Sequence, residues 1–148
     1  MPPRVSSSVA VVTTARTRAT PQDVDDICLG LPEVELGTSW GDNPTYKVRG
    51  KGFLMHRPPG RTAIDPVTGE WYTDLLVITV PGESEKRALV EDDRLPFFTI
   101  DHFNGYNAVL VQQSRLGEID RDELAEIITD AWLTKAPKTL AKAFLADG

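Results

Sequence analysis

The chain has 148 residues, a length that suits one domain and is too short for two ordinary ones. Its formal net charge of −6 gives no overall attraction to nucleic acid or to an anionic membrane, so any polyanion binding requires a local basic patch. No apolar run approaches the roughly 20 residues of a membrane span, and the single cysteine, Cys28, cannot form an internal disulfide. We therefore expect a soluble, cytoplasmic domain without membrane contact.

Residues 1–19 differ in composition from the rest of the chain. They are rich in Ser, Thr, Val and Ala, and their charged side chains are all arginines. The apolar run is too short for a typical signal sequence, so a targeting segment fits less well than a tail or an over-long gene start. We expect a disordered or extended tail at 1–19 and a single domain at 20–148.

Two helices carry clear local signals. Thr20 followed by Pro21 predicts a helix start, with Cys28 on its apolar stripe. Asp120 and Glu123 form a capping-box pattern at the start of the last long helix. The apolar stripe of that helix is Leu124, Ile127, Ile128, Ala131 and Trp132. Pro137 should kink this helix or start another one.

The segments between these helices predict five or six strands and one short helix. The strands are expected at 36–40, 45–49, 52–57, 74–80, 97–100 and 108–112. Gly50-Lys51-Gly52 should connect a hairpin, and the helix at 83–92 should face Ala88 and Leu89 inward. Because strands come in blocks, we predict an α+β fold: an antiparallel sheet with helices packed mainly on one face, and N- and C-terminal helices.

Residue patterns for catalysis or metal binding are missing from the sequence. The two histidines, His56 and His102, form no pair with zinc-ligand spacing. No glycine-rich phosphate loop precedes a helix, and no nucleophile elbow is present. A triad of Ser39, His102 and Asp101 can be assembled on paper, as it can in most chains. We expect no catalytic residues, no metal and no cofactor.

A local basic block stands out against the acidic total. Residues 43–64 contain five basic side chains and no acid, namely Lys47, Arg49, Lys51, Arg57 and Arg61. Near the C-terminus, Lys135, Lys138 and Lys142 recur near helical spacing. If the hairpin and this helix are neighbours, they form one positive surface for an anion or nucleic acid. An ordinary solvated sheet face and helix face would have the same composition.

A second cluster combines histidine with aromatic and glycine residues. His102 and Tyr106 lie in a segment between two predicted strands, and Trp40 is the last residue of an earlier predicted strand. Such residues often have a structural role in packing and hydrogen bonding. The alternative is the wall of a pocket, near Trp40, His102 and Tyr106, that binds a small ligand or a partner.

Taken in order, several segments resemble the MmcQ/YjbR family. They are residues 31–34 (LPEV), 38–53 (TSWGDNPTYKVRGKGF), 97–106 (FFTIDHFNGY), 131–132 (AW) and 136–138 (APK). The similarity runs from about residue 20 to residue 146. It implies a CyaY-like, double-wing domain that is usually labelled DNA-binding, a label that rests largely on fold analogy. The chain has Ile100-Asp101 before the histidine, where the family pattern usually has Thr-Pro.

Three hypotheses about function follow. The first is a nucleic-acid-binding module whose wing is the basic hairpin around residues 47–57, with Lys47, Arg49, Lys51, Arg57 and Lys138 as contacts. The second is a non-catalytic domain that binds a small ligand or a protein at the pocket near Trp40, His102 and Tyr106. An enzyme of unknown type is the third. The oligomeric state is not encoded in any pattern that we can read.

Overall fold

The computed structural model describes residues 17–39, 42–57, 59 and 63–147, without the side chains of His102 and Asp147. A five-stranded sheet forms its centre, and every neighbouring pair of strands is antiparallel, in the order β1-β2-β3-β4-β5. The strands are β1 (Val34–Ser39), β2 (Asn43–Val48), β3 (Lys51–Arg57), β4 (Leu75–Thr79) and β5 (Ala108–Gln112). The predicted α+β fold with an antiparallel sheet is therefore confirmed.

Four α-helices flank this sheet in the described part of the chain. They are α1 (Pro21–Gly30), α2 (Glu83–Val90), α3 (Arg121–Lys135) and α4 (Lys138–Asp147), and short 3-10 helices cover Asp101–Phe103 and Gln113–Glu118. Both predicted capping boxes are present, at Thr20 with Asp23 and at Asp120 with Glu123. Pro137 separates α3 from α4, so the chain starts a new helix there.

The β2–β3 connection differs from the prediction by its register. A two-residue turn at Arg49 and Gly50 joins the strands, with φ of 50° and 82°. Positive φ at both central residues is the geometry of a type I′ turn, whose twist matches that of the flanking strands. Lys51 is thus the first residue of β3 and pairs with Val48, instead of lying in the connection.

A β-bulge follows in the same hairpin. Tyr46 pairs with Leu54 and Lys47 pairs with Gly52, so Phe53 has no opposite residue in the pairing. Phe53 and Leu54 are both buried in the core beneath the helices. The bulge therefore adds a large apolar side chain to this side of the sheet.

The main core lies between the sheet and α1, α3 and α4, on what we call the helix face. Trp132 of α3 is fully buried there together with Leu124, Ile128 and Leu76, as predicted. Its indole N–H donates to the carbonyl oxygen of Pro32 at 3.1 Å. Its ring also meets Phe144 of α4, with ring centroids 5.0 Å apart.

A smaller core covers part of the opposite side, which we call the loop face. Its buried residues are Met55, Ala63, Leu75, Val77, Phe103, Ala108 and Leu110. The segment predicted as a strand at 97–100 forms only a bridge, between Phe98 and Leu110, beside β5. Hence loops, rather than helices, cover this second face.

One further expectation is corrected in the described residues. In α2, Ala88 is exposed and Leu89 is half-buried, whereas Lys86 is the buried residue of the helix. At the N-terminus, Arg18 forms an isolated antiparallel β-bridge with Asp120, and Ala19 is buried against the domain. The rest of the predicted tail, at 1–16, lies outside the described residues. No helix in the described part is both long and apolar enough to cross a membrane.

Replacing Trp132 should test the main core. We expect Trp132→Ala to lower the free energy of unfolding by about 3–5 kcal/mol, because it leaves a cavity and frees the Pro32 carbonyl. Urea denaturation of Trp71→Ala is the matched control, since Trp71 is 53% exposed and its loss should cost about 0.5 kcal/mol or less. Equal stability of the two variants would contradict this account of the core.

Candidate functional site

The hairpin register separates two lysines that the sequence predicted to share a face. Residues that pair directly across an antiparallel sheet project to the same side. Tyr46 and Val48 are buried on the helix face, so Lys47 between them points to the loop face. Lys51 pairs with Val48 and therefore points to the helix face of the sheet. Lys47 and Lys51 therefore serve two different surfaces.

Arg49, the third predicted basic contact of the wing, is neutralised by an acid outside the basic block. Its guanidinium donates two hydrogen bonds to the Glu33 carboxylate, one of them 3.1 Å long from Nη2 to Oε2. This pair lowers the pKa of Glu33 and raises the pKa of Arg49, with the hydrogen bond as the largest cause of both shifts. The charge of Arg49 is therefore compensated by Glu33. The sequence did not indicate this pair, because residues 43–64 contain no acid.

Arg57 lies on the loop face, away from Lys51. It pairs with Leu75 across β3 and β4, and its guanidinium carbon lies 5.7 Å from the centroid of the Phe103 ring. Partial burial lowers the pKa of Arg57. The structure thus places Arg57 as a cation–π partner of the second core, not beside the other predicted basic contacts.

Four lysines belong to the start of β3, the end of α3 and the first turns of α4. Oγ1 of Thr79 lies 3.2 Å from the carbonyl oxygen of Phe53 and 3.4 Å from that of Ala131, so the last turn of α3 sits beside the beginning of β3. Lys51 is two residues from Phe53, and α4 begins three residues after α3 ends. The lysine surface, as we name it, consists of Lys51, Lys135, Lys138 and Lys142.

Charge on the lysine surface is not compensated by described carboxylates. None of its four lysines forms an ion pair with another described residue, and residues 131–146 contain no acid. Five of the seven described arginines behave differently. Ion pairs join Arg49 to Glu33, Arg87 to Glu83, Arg94 to Asp92, Arg115 to Glu118 and Arg121 to Asp23. The lysine surface is therefore a local positive region on an acidic molecule.

The predicted pocket residues fall partly outside the described residues. Trp40 is one of the masked positions, and of His102 only the backbone, in the 3-10 turn Asp101–Phe103, can be placed. Tyr106 is 46% exposed and stacks on Phe103, with centroids 5.6 Å apart. It lines a cavity of about 150 Å³ together with Ser39, the residue before Trp40.

This loop-face cavity has a floor of strand residues. Besides Ser39 and Tyr106, it is lined by Thr45, Gly52, Phe53, Leu54, Met55, Val77 and Thr79. A Cβ at Gly52 would lie 2.8 Å from Cγ2 of Thr45, so the lack of a side chain at Gly52 is needed for this packing. The cavity therefore brings Ser39 together with Tyr106, while the pocket of Trp40, His102 and Tyr106 stays a prediction.

A wider cleft was not foreseen from the sequence. It has a volume of about 880 Å³ and lies between the segments 64–72 and 95–101, with Tyr72 and Phe98 in contact in its wall. Burial raises the pKa of Tyr72. Val67, at 91% exposure, projects from the same segment. The only sequence signal for this cleft was the turn chemistry around Asp65-Pro66 and Thr68-Gly69.

Metal and thiol chemistry find no support in the described residues. They contain no group of three His, Cys, Asp or Glu side chains that could hold a metal ion. Cys28 is fully buried, and burial raises the pKa of its thiol to about 12. Since the thiolate is the reactive form, this cysteine is a packed core residue rather than a nucleophile.

Comparison with known proteins fits this architecture. The sequence profile of the YjbR family matches residues 29–134, which include the whole sheet and nearly all of α3. The chain belongs to the YjbR family. As a member of this family, it carries Lys135, Lys138 and Lys142 beyond the matched residues, so three of the four lysines of the lysine surface lie outside the family match.

Curated relatives of this YjbR-family chain come from mycobacteria. The uncharacterized proteins Rv2570 of Mycobacterium tuberculosis (strain H37Rv) and Mb2600 of Mycobacterium bovis (strain AF2122/97) are each 45% identical to it over 87 residues. That region is 59% of this chain and 62% of each relative, so the match spans about three-fifths of their length. No solved structure matches the chain.

Lys86 holds the segment that carries Tyr106 in this YjbR-family chain, and sequence reasoning missed it. Its side chain is buried, and its ammonium donates 2.8 Å hydrogen bonds to the carbonyl oxygens of Phe103 and Tyr106. The ammonium thus satisfies two acceptors at the loop that forms one wall of the cavity. A lysine inside a polar helix gives no sequence signal of such a role.

We expect Lys86→Met to destabilise the protein by about 1–3 kcal/mol, because two carbonyl acceptors lose a charged donor. The loss should be accompanied by faster amide hydrogen exchange at Tyr106 and Ala108. Arg87→Met is the matched control, since its ion pair with Glu83 is solvent-exposed and should contribute about 0.5 kcal/mol or less. Unchanged exchange at Tyr106 in Lys86→Met would show that Lys86 does not hold this loop.

Proposed function

We propose that this protein binds nucleic acid without catalysis, through contacts of the lysine surface with backbone phosphates. The observation that carries the proposal is that these four lysines have no described carboxylate partner and that residues 131–146 contain no acid, whereas five of the seven described arginines are ion-paired. Lysines that are not neutralised internally are available to displace counterions from a phosphate backbone.

The arrangement supports a contact different from the wing that the sequence suggested. Lys51 comes from the hairpin, but Lys47, Arg49 and Arg57 are directed elsewhere or paired. Lys138 and Lys142 are exposed and one turn apart on α4, while Leu140 and Phe144 of the same helix pack on the main core. Binding would therefore use the start of β3 and the two C-terminal helices.

Physical arguments limit this binding to weak, sequence-independent contacts. Lysine ammonium groups that meet phosphates carry no base information. The net charge of −6 opposes approach of any polyanion, and the acids of α3 precede its last turn. An affinity of about 10⁻⁴ to 10⁻⁶ M is expected for contacts of this kind at physiological salt.

The loop-face cavity supports a second candidate function, binding of a small ligand. Ser39 and Tyr106 converge there from segments far apart in sequence, and Lys86 fixes the backbone that carries Tyr106. A rigid concave site with a few polar groups is the usual form of a ligand site. No residue of the lysine surface lines this cavity, so the two functions can be tested separately.

A salt titration tests nucleic-acid binding. With labelled duplex DNA at about 50 mM salt and above, the slope of log K against log salt should be about −3.6, since each of four neutralised phosphates contributes about −0.9. Lys51→Glu combined with Lys138→Glu should abolish binding, and fluorescence anisotropy would measure both effects.

Two controls make this titration specific. Arg87→Glu with Arg94→Glu changes the net charge equally but lies outside the lysine surface, so it should retain much of the binding. Lys47→Glu, on the other face of the hairpin, should likewise retain binding. Equal loss in all three variants would indicate a non-specific effect of net charge, and no binding by the unmodified protein would refute the proposal.

A further inference from the structure

We propose that the loop-face cavity binds the oxyanion of a small phosphate or carboxylate ligand, with Lys47 as the charged contact. The proposal rests on the second candidate function, ligand binding at this cavity, and specifies its ligand chemistry. Lys47 was predicted as a nucleic-acid contact, but the hairpin register turns it to the face on which Ser39 and Tyr106 converge.

Lys47 lies over a glycine in the neighbouring strand, on the face of the sheet that holds the cavity. A Cβ at Gly37 would lie 3.6 Å from Cδ and Cε of Lys47 and 3.8 Å from its Nζ, so the lysine side chain lies flat over Gly37. Gly37 pairs with Thr45, which lines the cavity, and precedes Ser39 by two residues on the same face of β1. Lys47 does not itself line the cavity, but its cross-strand partner Gly52 and Thr45, two residues before it on the same face, both do, so its side chain lies beside the cavity.

Electrostatics beside the cavity favours an anion. No Asp or Glu is among the residues that line the cavity. Glu35 is the acid directly opposite Lys47 in the register, yet Lys47 extends diagonally over Gly37 and forms no ion pair with a described carboxylate. A bound oxyanion would thus meet an ammonium that is not neutralised by its described neighbours.

Hydroxyl groups of the cavity provide neutral donors. The side-chain oxygens of Ser39 and Tyr106 have no hydrogen-bond partner among the described residues. The hydroxyls of Thr45 and Thr79, in contrast, are already within hydrogen-bond distance of backbone carbonyl oxygens. Ser39 and Tyr106 are therefore the two lining hydroxyls that can donate to an oxyanion.

The size of the cavity limits the ligand. Its volume of about 150 Å³ is below the roughly 300–1,000 Å³ of sites for whole cofactors or drug-sized molecules. It suits a charged end group with a small apolar body, which Met55, Val77 and the ring of Tyr106 could contact. A large nucleotide cofactor would not fit.

Binding of three small probes tests the proposal: phenyl phosphate, benzoate and the uncharged phenol. Titrations followed by amide NMR shifts of Gly37 and Gly52 should show saturable binding of phenyl phosphate or benzoate, and much weaker binding of phenol. The stronger of the two anions identifies the source of the oxyanion. Lys47→Met should weaken its binding about tenfold or more, as expected for loss of one charge-assisted hydrogen bond.

Matched variants complete the test. Ser39→Ala should weaken binding of the anion less than Lys47→Met does, and Lys51→Met, on the opposite side of the same hairpin, should leave it unchanged. Equal binding of phenol and the anions would overturn the oxyanion proposal while leaving ligand binding at the cavity intact. If no probe shifts Gly37 or Gly52, both the oxyanion and the small-ligand function are refuted.

Discussion

The register of the β2–β3 hairpin determines which of its side chains point to the helix face and which to the loop face. The turn at Arg49 and Gly50 has positive φ at both residues, and the bulge at Phe53 shifts the pairing within the same hairpin. Because side chains alternate between faces, a change of one residue in this register would exchange the two sides. Lys47 would then move from the loop face into the main core.

Both candidate sites follow from this register. On the helix side, Phe53 fills the core below α3, and the end of α3 comes to lie beside Lys51. On the loop side, Lys47 lies over Gly37, next to Thr45 and Gly52, which line the cavity. One basic hairpin thus supplies lysines to two separate surfaces, which explains why a single positive wing does not form.

Local sequence signals predicted much of the fold, because their physical causes are local. The capping box of Thr20 and the burial of Trp132 follow from neighbouring residues and helical spacing. The pairing of Arg49 with Glu33 and the burial of Lys86 depend on contacts distant in sequence, and no pattern indicated them. The bulge was equally hidden, since Gly50 and Gly52 allow two different hairpin connections.

Cross-strand nuclear Overhauser effects between β2 and β3 would show directly whether the hairpin has this pairing register. The register in the structure predicts contacts between Val48 and Lys51 and between Lys47 and Gly52, and no cross-strand partner for Phe53. Contacts between Arg49 and Phe53 would show the alternative connection through residues 50–52. That result would contradict the separation of Lys47 and Lys51 and, with it, both proposed sites.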